Sequence, residues 1–168
     1  ALVFVFARDL LGARVATLAV ALFAIEPTIL AHGRIVQTDI PAAFGLLLVT
    51  FAIWRYLRAS NWKNACFLGA AAAIALLAKF SMLVVVPVIA AVLAGLFCQP
   101  NARRLSLIRD AAIAAVVFVV IVQAAYFFHN RALTPGDLKW ISDAFPGSAH
   151  SVTTVVQFAR WFLPTDMV

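Results

Sequence analysis

Of the 168 residues, 65% are apolar and only 12% are charged, with a mean hydropathy of +1.02. A soluble domain carries about 25% charged residues, so a water-exposed globule is excluded and the long apolar runs call for a bilayer. The net charge of +6 does not point to nucleic acid, because the basic residues sit between the apolar runs, where the positive-inside rule places them.

The chain opens on Ala1-Leu2-Val3-Phe4-Val5-Phe6-Ala7, apolar at once, with no Met and no basic segment ahead of it. That is not a signal peptide. It reads as the end of a helix, so the sequence is expected to be a piece of a longer chain. The first complete apolar run covers 13–31, with Glu26 and Pro27 interrupting it near its end. A second run covers 40–54. The stretch 65–97 is too long for one span, and Lys79, followed by Phe80-Ser81, is expected to divide it into two helices joined by a tight turn. A last run covers 111–128. Each piece approaches the ~20 residues that cross ~30 Å as a helix, the third being short. The pattern predicts an all-α, polytopic transmembrane helix bundle of about five spans over 1–129, with an extracytoplasmic segment over 130–168.

That last segment carries two turn signals, Pro135-Gly136 and Pro146-Gly147. Around them, Leu138-Lys139-Trp140-Ile141 and then Val152, Val155, Val156, Ala159, Phe162 and Leu163 recur at roughly helical spacing. Short amphipathic helices lying on the outer membrane surface are expected. No internal repeat is visible. Cys66 and Cys98 fall near span ends on the same side, which indicates small apolar fillers and not a disulfide framework.

Orientation follows from charge. One set of loops holds Arg8, Arg14, Arg55, Arg58, Lys63, Arg103, Arg104 and Arg109; the other holds Arg34, Lys79, Arg131, Lys139 and Arg160. The first, richer set is expected to be cytoplasmic. Trp54, Tyr56 and Trp62 flank a loop on that side as an interfacial belt.

Ionisable groups near a membrane are costly, so each is a functional candidate. The outer side gathers Glu26, the polar run His32-Gly33-Arg34-Ile35-Val36-Gln37-Thr38-Asp39, and Lys79. Asp39 stands directly ahead of Ile40-Pro41. It is either a helix cap, a position that Thr38 could take instead, or an acid at a cavity mouth that orients a sugar hydroxyl or helps to hold a divalent cation. Arg34 is either a snorkelling interface residue or a phosphate ligand. Lys79 is either a turn residue reaching water or a point charge for an anionic headgroup. Glu26, inside an apolar span, needs a partner, with Arg34 and His32 as candidates. His32, His129 and His150 match no zinc spacing. No phosphate-cradling glycine loop, nucleophile elbow or HExxH is present.

The segment Glu26-Pro27-Thr28-Ile29-Leu30-Ala31-His32-Gly33-Arg34-Ile35-Val36-Gln37-Thr38-Asp39 resembles the second extracytoplasmic loop of the protein mannosyltransferase-like membrane glycosyltransferases. These are GT-C fold enzymes, relatives of the dolichyl-phosphate-mannose–protein mannosyltransferases and of the aminoarabinose transferase of lipid A. Trp54-Arg55-Tyr56-Leu57-Arg58, Trp62 and the helix end Leu76-Leu77-Ala78-Lys79-Phe80-Ser81 agree with the pattern. The family commonly has Thr-Lys where this chain has Ala78-Lys79. The resemblance covers about residues 5–130. It implies inverting transfer of a sugar from a polyprenyl-phosphate donor to a protein, lipid or glycan acceptor on the outer face of a plasma or inner membrane. By the same resemblance the acceptor's base lies in an earlier outer loop, ahead of Ala1. Asp39 is then a second acid of the site, and Arg34, Lys79 and His32 are donor-phosphate candidates, with Glu26 a further candidate. No resident metal or cofactor is identified, and a divalent cation stays open. Two other readings compete: a transporter or flippase of a lipid-linked substrate, and a non-catalytic membrane subunit.

Overall fold

A computed structural model describes residues 1–33, 38–100 and 103–126, together with 139, 143, 153 and 154. Among the described residues every regular element is helical and there is no strand. The elements are α1 (Leu2–Leu11), α2 (Ala13–Ile25), α3 (Pro27–His32), α4 (Asp39–Arg58), α5 (Trp62–Ala78), a 3-10 turn (Phe80–Val84), α6 (Val85–Phe97) and α7 (Arg104–Ala125). Two compact units divide the chain, Ala1–Val117 and Phe118–Val168. In the second, the described part is the latter half of α7, where Val122 and Gln123 are buried, plus four single positions, all helical. The amphipathic helices expected over 130–168 otherwise lie outside the described residues.

Three helical stretches are long and apolar enough to cross a membrane: Asp39–Arg58, Phe80–Phe97 and Arg104–Ala125. Ala13–Ile25 and Trp62–Ala78 are apolar but shorter. All five expected pieces are therefore helical, and the chain is a membrane helix bundle. The run 13–31 is not one helix. Pro27 biases the preceding residue away from helical backbone, and Glu26 is extended at φ −66°, ψ 117°. Pro27 then opens α3 as its first residue, where a missing N–H costs nothing. Between α1 and α2 the chain turns on Gly12 alone, at φ 89° and ψ 169°, a conformation open essentially only to glycine.

Lys79 does divide the stretch 65–97, with a 3-10 turn following it. Two helix ends differ from expectation. α4 runs on to Arg58, past Trp54, and α7 begins at Arg104, ahead of Ala111. Apolarity marks where a bilayer ends, while Arg, Tyr, Leu and Ser remain compatible with helix beyond it. Arg55 and Arg58 fall in the last turn of α4 and Asp39 in its first, each opposite in sign to the local helix dipole.

The centre of the first unit is the α4–α5 hairpin. At the Arg58 end, Asn61 caps α5 by accepting from the Asn64 N–H at 2.9 Å. The buried Asn64 amide donates to the Arg55 carbonyl at 3.2 Å and to the Ala59 carbonyl at 2.8 Å. The Asn64 side chain thereby ties the start of α5 to the end of α4 and the turn that follows it. Small residues set the helix spacing. A Cβ on Gly45 would stand 2.8 Å from the Ala75 Cα, and one on Gly69 would stand 2.2 Å from the Ala114 carbonyl oxygen of α7. Lipid gives helices no hydrophobic reason to associate, so close backbone approach through Gly and Ala supplies the dispersion contact. Ala65, Ala71, Ala72, Ala73 and Ala75 are buried accordingly.

Aromatic contacts tie α1 to this hairpin. Phe6 and Phe51 lie 5.4 Å apart, Phe51 and Phe67 6.0 Å apart, and the Arg55 guanidinium sits 5.4 Å from the Phe67 ring centroid. By contrast, only 6% of the Phe80–Phe97 stretch is buried. Cys66 and Cys98 are both free thiols.

Gly69→Val is expected to lower the thermal midpoint of the detergent-purified protein, by the ~1–3 kcal/mol typical of overpacking or more. Gly95→Val should stay within about 0.5 kcal/mol, because nothing lies within 4 Å of a Cβ there. Equal midpoints for the two variants would show that the α5–α7 approach is not a constraint.

Candidate active site

Lys79 is held from both sides by its backbone. Its N–H donates to the Ala75 carbonyl at 3.3 Å, and its own carbonyl accepts from the Met82 N–H at 2.9 Å. With φ −160° and ψ 128° it leaves the helical course of α5. Asp39 opens α4. Because α4 and α5 run antiparallel, the start of one meets the end of the other, and residues 40 apart in sequence come together: Lys79 Nζ donates to Asp39 Oδ1 at 2.6 Å. The side chains remain 41% and 57% exposed. Thr38 takes the cap position of α4 without a side-chain cap bond, and Asp39 belongs to the first turn. Of the two cap candidates that the sequence offers, Thr38 is the one that takes the position.

Glu26 caps α3, its Oε2 accepting from the Ile29 N–H at 2.7 Å. This contact arises because Pro27 at the first helical position leaves the following amides aimed back at residue 26; the expected partners, Arg34 and the His32 side chain, lie outside the described residues. His32 is the last residue of α3, which packs beside α4. Its side chain, Arg34, His129 and His150 lie outside the described residues. No group of three or more His, Cys, Asp or Glu side chains gathers among the described residues.

The arrangement has a definite chemical capacity. An ammonium carries three donors; Lys79 gives one to Asp39, and two remain for an anionic oxygen. The Asp39 carboxylate fixes the direction of that ammonium. An exposed ion pair contributes only ~0–1 kcal/mol to stability, so this pairing is not what holds the fold.

A second polar cluster escaped the sequence. Asp110 follows Arg109, which charge alone assigns to the basic loop set, yet the Asp110 side chain is 1% exposed. Tyr56 Oη donates to Asp110 Oδ2 at 3.2 Å, and Arg109 Nε and Nη2 donate to Oδ1 at 3.1 and 2.9 Å. Tyr56, expected in an interfacial belt, is buried inside the bundle. The signal was present once α7 is extended back to Arg104. Leu107, Asp110 and Ala114 then fall at i, i+3 and i+7 on one face, and all three are buried. This cluster joins α7 to the Arg58 end of α4, whereas Asp39 opens that 20-residue helix, roughly 30 Å away along its axis.

The two clusters are expected to answer mutation differently. Asp110→Ala leaves the Tyr56 hydroxyl without its acceptor and should cost ~1–3 kcal/mol. Asp39→Asn and Lys79→Gln should each cost no more than about 1 kcal/mol. Thermal unfolding of the three purified variants decides the point, and a large loss at Lys79 would make its pair structural.

No curated protein and no solved structure matches the chain. Residues 1–129 match the family model described as dolichyl-phosphate-mannose-protein mannosyltransferase. That match takes in every helix from α1 to α7, including the hairpin that joins Asp39 to Lys79. The chain belongs to this family of GT-C-type membrane glycosyltransferases.

Proposed function

We propose that this protein transfers a sugar from a polyprenyl-phosphate donor to an acceptor on the extracytoplasmic face, inverting the anomeric carbon, in a multi-pass plasma or inner membrane protein. The observation that carries the reading is the Lys79–Asp39 pair, an oriented ammonium at the end of α4 and α5 opposite Arg55 and Arg58. An acceptor oxygen attacks the anomeric carbon while the bond to the donor phosphate breaks, and the electron pair leaves on the phosphate. Negative charge therefore develops on the leaving group. A cation already in place lowers that barrier without reorganising. Lys79 supplies this cation, Asp39 holds it in direction, and Arg34 is a second candidate for the same phosphate. The base that takes the acceptor proton belongs, by family resemblance, to an outer loop ahead of Ala1. A transporter or a non-catalytic subunit has less support, because the family is one of transferases.

The test uses the full-length protein in membrane vesicles, with radiolabelled polyprenyl-phosphate hexose and matched insertion. Lys79→Gln is expected to lower transfer roughly 10²-fold, the usual cost of one contact to developing charge. Asp39→Asn should lower it at least about tenfold by releasing the ammonium from its position. Undiminished transfer by Lys79→Gln would remove Lys79 from the site.

Sidedness has its own check in a cysteine-free background. A membrane-impermeant maleimide added from outside should label Ser81→Cys, beside Lys79, and spare Lys63→Cys, at the start of α5. The reverse pattern would place the pair on the cytoplasmic face.

A further inference from the structure

An open groove of about 310 Å³ runs between the end of α6 and the start of α7. Leu93, Phe97, Cys98, Leu107, Ile108 and Ala111 line it. Its volume lies at the lower end of the ~300–1,000 Å³ range of ligand pockets. The wall is almost wholly apolar and offers nothing to orient a polar ligand. Its rim is different. The Arg104 guanidinium stacks on the Phe97 ring, 5.2 Å from the centroid. A stacked guanidinium keeps its in-plane N–H groups free for a phosphate. Arg103 precedes it, and both side chains are exposed. The nearest acid in sequence, Asp110, turns away to accept from Tyr56 and Arg109. The mouth is thus cationic and the interior apolar.

That combination matches one kind of molecule, a membrane lipid with an anionic headgroup. We propose that the groove is a binding site for an anionic phospholipid, one acyl chain lying between α6 and α7 and its phosphate meeting Arg104, with Arg103 beside it. The Phe80–Phe97 stretch has 18 residues, roughly 27 Å as a helix. It separates this mouth from Lys79, so the site is distinct from the proposed donor site and lies in the other leaflet. Aliphatic and aromatic walls accept the chain by dispersion and shape, while the charged contact selects the headgroup. The two basic residues are thereby given a ligand as well as a topological role.

Cys98, exposed on the groove wall, reports occupancy directly. The full-length protein, with its other cysteines replaced, is reconstituted into vesicles of phosphatidylcholine alone or with phosphatidylglycerol. The rate of maleimide addition at Cys98 is expected to fall about tenfold in phosphatidylglycerol, the equivalent of one charged contact. The double variant Arg103→Gln, Arg104→Gln should abolish that difference, and Ala111→Phe, which fills the groove, should abolish co-purification of phosphatidylglycerol in mass spectra of the intact protein. Equal rates in both lipids would overturn the proposal. So would protection that survives the double arginine variant. Protection in lipid-free detergent that grows with protein concentration would assign the groove to a second copy of the chain and overturn it equally.

Discussion

The backbone approach along α5 is the constraint on which the rest of the first unit depends. Gly45 lets α4 close on Ala75, and Gly69 lets the Ala114 carbonyl of α7 reach the helix axis. Any side chain larger than hydrogen at Gly69 would meet main-chain atoms, which cannot rotate out of the way. The Gly45–Ala75 approach restricts the register of α4 against α5, and the Gly69–Ala114 approach that of α5 against α7. Asp39 is then delivered to Lys79 at one end and Arg55 to the Asn64 amide at the other. A wall of alanines suffices because the surrounding lipid is as apolar as any leucine would be, and contact distance matters more than side-chain bulk.

The same constraint explains what was legible beforehand. Hydropathy and length marked all five apolar pieces, and the isolated Lys79 marked the break within 65–97, because charge and apolarity are properties of a residue and its near neighbours. Asp39 and Lys79 were each legible as candidates for the same reason. Their pairing was not, since it depends on a register set by glycine contacts that hydropathy does not record. Glu26 was legible as a carboxylate that needs a partner; that the Ile29 amide, left free beside Pro27, would supply one three residues away was not. Asp110 was hidden by its neighbours: beside Arg109 and ahead of an apolar run it has the composition of a loop, and only the helical face shared with Leu107 and Ala114 reveals it.

The two ends of the α4–α5 hairpin are chemically unlike, and the difference separates structural from functional polarity. At the Arg58 end Asn64 and Asp110 are buried and answered. Asn64 serves two carbonyls, and Asp110 receives a phenol and a guanidinium. Such groups are strong constraints because a buried polar atom left unsatisfied is penalised in full. Nothing remains on them for a ligand to use.

At the other end the pair is short but half exposed, and an ammonium with two donors still to give does not complete a network. A bond of that kind adds little to stability, so folding alone does not explain why two charges stand together at the edge of a chain with so few. The proposed function accounts for their position, because it brings an anionic group to Lys79. Under the proposed function, in a family whose donor is named for its lipid phosphate, that group is the phosphate whose charge grows as the sugar leaves. On that proposal Lys79 stands where charge is larger in the transition state than in the resting donor, which is the condition for binding energy to appear as rate.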